Sequence, residues 1–284
     1  MIAFVTWNVD PAWFHFPEAI PLLGGREVRW YGLLFAVGFA LGAYFVNKIW
    51  KHEKLKEEWF DKLFIYVFIA TAVGARLGHC LFYNPGYYLA NPLDILKIWE
   101  GGLASHGGTL GIIIAVYFYS KKVTHQSMLW TFDRLVVPVG LVGAFIRLGN
   151  LMNHEIYGHA TSVPWAFRFI TNVSSWEKGA PAIYSMPSHP TQLYEAICYL
   201  ITFAICMWLY WKKEAQKKEG LIFGVFLVGI FLSRFFVEFL KNNQEDFEAS
   251  MMLNMGQLLS IPFVIVGIWL VYRAKEKVTT KKGK

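Results

Sequence analysis

Apolar residues run in seven long blocks along the chain, at about 30–50, 62–83, 103–120, 130–150, 193–211, 220–240 and 256–272, with polar connections between them. Roughly 18 or more mainly apolar residues suffice to cross about 30 Å of hydrocarbon as a helix. The pattern therefore predicts an all-α, polytopic membrane protein with about seven transmembrane helices, built as a single integral-membrane domain over 1–284. The fourth block is the weakest. Its uninterrupted core, Leu135 to Ile146, is short and contains Pro138, so it spans only if Arg147 and Asn150 face a protein-lined cavity. Segment 151–190 is too long for a turn and too apolar for a flexible linker, and is expected to form a small extracytoplasmic cap. Residues 86–100 read as an amphipathic stretch at the outer interface, with Tyr87, Tyr88 and Trp99 as belt residues.

Composition agrees with the pattern. Charged residues make up 17% of the chain, against about 25% in soluble domains, and the mean hydropathy is +0.37. A soluble domain of this composition would expose large apolar patches. The net charge of +7 raises the question of a polyanionic partner, and the distribution of Lys and Arg answers it. Most of them fall in the connections after spans one, three, five and seven and in the tail, which puts the N-terminus outside and the C-terminus in the cytoplasm. The surplus is a topology signal, and no nucleic acid is expected. The first 30 residues contain Asp10, Glu18 and Glu27 and lack an apolar run ending in a cleavage site, so no cleaved signal peptide is expected. Cys80, Cys198 and Cys206 lie in spans without CxxC spacing and read as buried thiols. Glycines four residues apart, Gly38/Gly42, Gly74/Gly78, Gly107/Gly111 and Gly220/Gly224, read as sites of close helix packing.

Polar groups inside spans cost at least ~2.5–3.5 kcal/mol each on insertion scales, so each is a functional candidate. With the orientation above, almost all of them fall in the outer half: Arg76 and His79, Ser105 and His106, Arg147 and Asn150, His189 to Glu195, and Arg234 with Glu238, joined by Tyr31 of span one. Structural alternatives stand beside the functional ones. Arg234 and Glu238, four residues apart, could form a buried salt bridge; Arg147 could cap its own helix; and the layer could be a fully paired network. Two glycines after His106 strip away side-chain bulk and let a substrate approach. The sharper reading is an anion site, because Arg bonds phosphate in bidentate fashion and phospholipid head groups are the abundant anions at that depth. No metal-ligand spacing occurs, and no cofactor is expected.

Residues 143–158, GAFIRLGNLMNHEIYG, resemble the signature of the prolipoprotein diacylglyceryl transferases, with Arg147, Gly149, Asn150, Asn153, Glu155 and Gly158 in its order. WYG at 30–32, GARLGHCLFY at 74–83, SHGG at 105–108, HPTQLYE at 189–195 and RFFVEF at 234–239 are similar to the same family. The resemblance implies a multi-pass enzyme of the bacterial inner membrane, with its active site towards the outer leaflet. It would move the diacylglyceryl group of phosphatidylglycerol, a membrane lipid, onto the lipobox cysteine at the signal peptide of a prolipoprotein. A thioether forms and glycerol phosphate leaves, the first step of lipoprotein maturation. It further implies Arg147 and Arg234 as catalytic head-group residues and His106 as catalytic or positioning base, with Tyr31, Asn150, Glu155, Gly158, Arg76, His189 and Glu238 on the substrate side. The chain departs from the family after Glu238, where Arg-x-Pro-Asp is usual and Lys241 is followed by NNQED. The chemistry is consistent. A thiol of pKa near 8.5 is only a few per cent thiolate at neutral pH and needs a base, and cationic donors stabilise the departing phosphate. The rival is a transporter or receptor that binds an organic anion through the arginine layer, but no internal repeat is evident and the layer is confined to one leaflet.

Overall fold

The structure, a computed structural model, describes residues 4–20, 25–97, 102, 104–242 and 251–274. The expectations for Trp99, the Ser105 side chain, the loop after Asn242 and the basic tail lie outside the described residues. Helices dominate, and the chain separates into two compact units, Met1–Tyr44 with Val136–Lys284, and Phe45–Leu135.

In the first unit, strands β1 (Phe4–Thr6), β2 (Ala12–His15) and β3 (Glu27–Arg29) lead into helix α1 (Trp30–His52), whose later residues belong to the second unit. Helix α6 (Val139–Met152) is followed by β4 (Ala166–Arg168), the short α7 (Val173–Trp176), and helices α8 (Thr191–Lys213), α9 (Leu221–Glu238) and α10 (Met255–Arg273). α6 packs on α8, α8 on α9, and α9 on α10. Glycines permit these approaches. A Cβ on Gly38 or Gly42 would press on Phe145 or Val142 of α6 at 3.0 Å, and one on Gly224 would lie 2.8 Å from the Gly267 carbonyl of α10. Gly220 instead supplies the left-handed N-cap of α9, at φ 89°. β1 pairs with β4 in parallel, and β2 with β3 antiparallel.

Segment 151–190 therefore folds with the N-terminal residues around buried Ala166, Phe169 and Ile170. His154 is its fastener. Its Nε2–H donates to the Val9 carbonyl at 2.9 Å, and its Nδ1 accepts from the Ile170 amide at 3.1 Å. The bond that Nδ1 accepts needs the neutral ring, and burial holds the His154 pKa below its ordinary value.

In the second unit, α2 (Glu57–Phe82) packs on α4 (Ser105–Tyr119) so closely that Gly74 and Gly78 meet Gly107 and Gly111 backbone to backbone. Between these helices lie α3 (Pro85–Ala90) and a 3₁₀ turn over Pro92–Leu96, with Leu89, Leu93 and Leu96 exposed. α5 (Met128–Leu135) closes the unit.

Five described helices, α1, α2, α8, α9 and α10, are long and apolar enough to cross a membrane, and α5 with α6 can make a sixth. The expected fourth span is interrupted at Val136–Pro138, because Pro has no amide hydrogen to donate and its ring crowds the preceding turn. The expected third span is a helix of 15 residues, α4, continued by a π turn over Ser120–Thr124. The chain is thus a mostly helical, integral membrane protein.

Candidate active site

The last turn of α6 starts the site in the first unit. Gly149 has no side chain there because a Cβ would lie 2.7 Å from Tyr31 Cδ2, so the Tyr31 ring rests on this turn. One turn apart on α6, Arg147 donates from Nη1 to Asn150 Oδ1 at 3.3 Å. Asn150 passes the connection on, its Nδ2 donating to Glu155 Oε1 at 2.7 Å, where Asn153 Nδ2 also donates at 3.2 Å. Arg147 Nε lies 3.0 Å from Glu195 Oε2, and the Tyr199 hydroxyl hydrogen-bonds the same guanidinium. Arg147 is therefore engaged by α8 and does not cap its own helix.

The chain after Glu155 is fastened to the start of α8. Gln192 Nε2 donates to the Glu155 carbonyl at 2.6 Å, and Thr191 Oγ1 to the Ile156 carbonyl at 2.8 Å. Gly158 is required next, since a Cβ would collide with the Leu240 carbonyl and lie 3.0 Å from His189 Cβ. The Gly158 amide donates to the His189 carbonyl at 2.9 Å. On the His189 side chain, Nδ1 lies 3.2 Å from the Tyr194 hydroxyl, whose oxygen accepts from Trp165 Nε1 at 2.8 Å. Burial and the neighbouring His159 push the His189 pKa down.

From α9 come Arg234 and Glu238, and they do not pair. Glu238 Oε2 takes Lys241 Nζ at 3.0 Å, while Oε1 sits against Gly256 in the first turn of α10. Lys241 also reaches Glu195 Oε1 at 2.9 Å. Its backbone bridges to Gly158, which fixes the ammonium between the two carboxylates and leaves Glu238 no reason to turn back to Arg234. Arg234 has a buried Nε without a hydrogen-bond partner and no ion pair among the described residues. Tyr199 feels both Arg147 and Arg234 electrostatically. Among the described residues the cluster so holds three cations, Arg147, Arg234 and Lys241, against two buried carboxylates, Glu195 and Glu238. One positive charge is left over, and it sits where anion chemistry would use it.

Two residues of this cluster carry no assigned substrate role in the sequence reading, Glu195, which stood only as one of the polar groups of the outer layer, and Lys241. The signal for Glu195 was a carboxylate inside an apolar span. Lys241 looked like one more loop cation, and only its backbone pairing with Gly158 brings it inside.

The second unit holds His106 and Arg76. His106 is exposed in the first turn of α4, with the rings of Phe82 at 5.3 Å and Tyr83 at 5.9 Å. Arg76 is buried and donates to carbonyls, Nε to Ile95 at 2.9 Å and Nη2 to Asp94 at 2.6 Å, with the Tyr88 ring 5.1 Å from its guanidinium carbon. It thereby ties α2 to the turn at 92–96.

The family model of prolipoprotein diacylglyceryl transferase matches residues 17–273. A phosphatidylglycerol–prolipoprotein diacylglyceryl transferase of Porphyromonas gingivalis is 56% identical over 286 residues, which cover 99% of this chain and 98% of that protein. Proteins of the same name from Chloroherpeton thalassium and Bacteroides fragilis are 43% and 42% identical, each over 99% of this chain. The match runs through every element that carries the arginine cluster, and the chain belongs to the prolipoprotein diacylglyceryl transferase family.

Proposed function

We infer that the protein is a transferase that moves the diacylglyceryl group of phosphatidylglycerol to the lipobox cysteine of a prolipoprotein. The thiol gives up its proton to a base, sulfur bonds to the glycerol carbon, the bond from that carbon to the phosphate oxygen breaks, and glycerol phosphate leaves. The observation that carries the placement of the lipid is the surplus cation among the described residues, where Arg234 has a buried Nε without a partner beside a cluster whose carboxylates are already shared. A phosphate diester supplies the missing negative charge and acceptor oxygens, and it gains charge as the carbon–oxygen bond breaks. Donors already aimed at that charge stabilise the transition state most.

Arg147 and Arg234 are assigned to the phosphate, with Asn150 and Glu155 holding Arg147 and Tyr31 lying against its turn. Gly158, His189 and Glu238 shape the same site, and Arg76 holds the segment at 85–97 next to the lipid surface. His106 is assigned as the base for the thiol, a task for which imidazole is suited and worth typically 10²–10⁴-fold. The Lys and Arg distribution supports seven spans, with the third through 105–124 and the fourth through the interrupted pair, the N-terminus outside and the C-terminus inside. On that topology, the site faces the outer leaflet of the bacterial inner membrane and 151–190 covers it as a cap.

The test is to incubate purified protein with phosphatidylglycerol and a lipobox peptide and follow the peptide mass. The expected product is heavier by one diacylglyceryl group and resists hydroxylamine, as a thioether does. An unmodified peptide in the presence of folded protein overturns the reading.

A further inference from the structure

We propose that Lys241 is a positioning residue of the phosphate site: it takes up charge of Glu195 and Glu238 so that these carboxylates do not neutralise both Arg147 and Arg234, and a net positive charge is left for the lipid phosphate. This rests on the transferase reading. Lys241 is 3% exposed, and a lysine so buried is almost always paired. Its Nζ lies 2.9 Å from Glu195 Oε1 and 3.0 Å from Glu238 Oε2. Glu195 is wholly buried, and its other oxygen lies 3.0 Å from Arg147 Nε. That oxygen is not on the line of the N–H bond and counts as an unfilled acceptor. Glu195 therefore leans towards Lys241 and holds Arg147 by charge alone.

The consequence follows from counting. With Lys241 in place, three cations face two buried carboxylates among the described residues. Without it, two arginines face two buried carboxylates, and the cheapest arrangement in a medium of low dielectric is for each to neutralise one. No positive charge would remain for a phosphate. A compact ammonium with three donors suits a position between two carboxylates better than a planar fork does. Its location is fixed by the backbone: Lys241 bridges Gly158, the His159 amide donates to the Leu240 carbonyl at 2.8 Å, and Asn242 Nδ2 donates to the Gly158 carbonyl at 3.0 Å. The bare backbone of Gly158 is what lets this strand-like contact form.

The experiment measures phosphatidylglycerol binding by the full chain in detergent without peptide, and separately kcat and KM in the transfer assay. Lys241→Met is expected to weaken lipid binding and raise KM for the lipid about tenfold or more, with KM for the peptide changed less than about threefold. Lys241→Arg restores the charge and is expected to recover most of the affinity. Lys241→Met with Glu238→Gln restores the balance of charges without restoring the lysine, and is also expected to recover lipid binding. Wild-type affinity in folded Lys241→Met overturns the proposal, as does a double variant that binds no better than the single one. If Lys241→Met does not fold, the double variant decides: affinity close to wild type supports the proposal and a loss of about tenfold overturns it. Absence of transfer by the wild type contradicts the transferase reading instead, and the binding series still reads the role of Lys241.

Discussion

Two pairs of arginines make the most instructive comparison. In the second unit, Arg134 is 4% exposed and its donors are taken: Nε and Nη2 go to Glu53 Oε2 at 2.9 and 2.7 Å, Nη1 goes to the Trp130 carbonyl at 2.7 Å, and the Trp130 ring lies 3.9 Å away. Arg76 in the same unit is likewise spent on carbonyls. In the first unit, Arg147 shares its carboxylate with a lysine, and Arg234 has none among the described residues. All four carry the cost of taking charge out of water. Among the described residues only Arg234 of the four has a buried donor with no hydrogen-bond partner, so a place inside a span does not by itself separate structural from functional charge. The balance of donors against acceptors does.

The comparison can be broken in order of expected effect. Arg134→Ala takes from Glu53 the guanidinium that bonds it twice, and removing one partner of a buried pair costs about 3–5 kcal/mol. The variant should lose thermal stability and yield, while whatever fraction folds keeps its specific transfer rate. A normal melting temperature would mean that the paired arginine is not structural. Arg234→Ala should do the reverse. Its melting temperature should stay close to wild type, and kcat should fall about 10²–10³-fold, the cost of one preorganised donor to developing charge; near-normal turnover would make Arg234 structural as well. Gly158→Ala forces a Cβ into the Leu240 carbonyl, and overpacking of this kind costs about 1–3 kcal/mol. It should lower stability and raise KM for phosphatidylglycerol together, because the shift is carried to Lys241.

The smallest effect is on pH. His154 is held neutral in the folded chain, with its pKa below the ordinary 6.5. The unfolded chain then binds the proton first as pH falls. The His154 contribution is complete above pH 6.5 and is lost as pH falls from there through the lowered folded value. Amide exchange at Ile170 should accelerate over that window, and the acceleration should be absent in His154→Gln. A rate that follows only the intrinsic chemistry of exchange would remove His154 from its fastening role.

The helices were legible because lipid imposes their length. Predicted 30–50, 193–211 and 256–272 meet Trp30–His52, Thr191–Lys213 and Met255–Arg273 with ends shifted by a few residues. The fourth block was legible only as a doubt, since Pro138 marks a break in any helix without showing where the flanking pieces end. The short strands gave no signal: three residues of alternation are too few, and β1 finds its partner far along the chain at Ala166–Arg168. In the candidate site, Arg147 and Asn150 were legible by local spacing, and Glu155 only through the family signature. Pairings made across the fold were not. Glu238 had two candidate cations, at four residues back and three forward, and the choice of Lys241 depends on the docking of Leu240 and Lys241 against Gly158. Arg76 drew attention as a buried cation, yet its acceptors are carbonyls, which no side-chain pattern reveals.

The central claim is that the underpaired arginine holds the lipid phosphate. The direct measurement is the dipolar coupling between lipid phosphorus and nitrogen-15 in the arginine guanidinium groups of the protein in phosphatidylglycerol bilayers, with no peptide present so that nothing turns over. A coupling in the range of a hydrogen-bonded contact, reduced in Arg234→Ala to the part that Arg147 supplies and kept in full in Arg134→Ala, is the predicted result. An equal coupling in wild type and Arg234→Ala, or none in either, would contradict it.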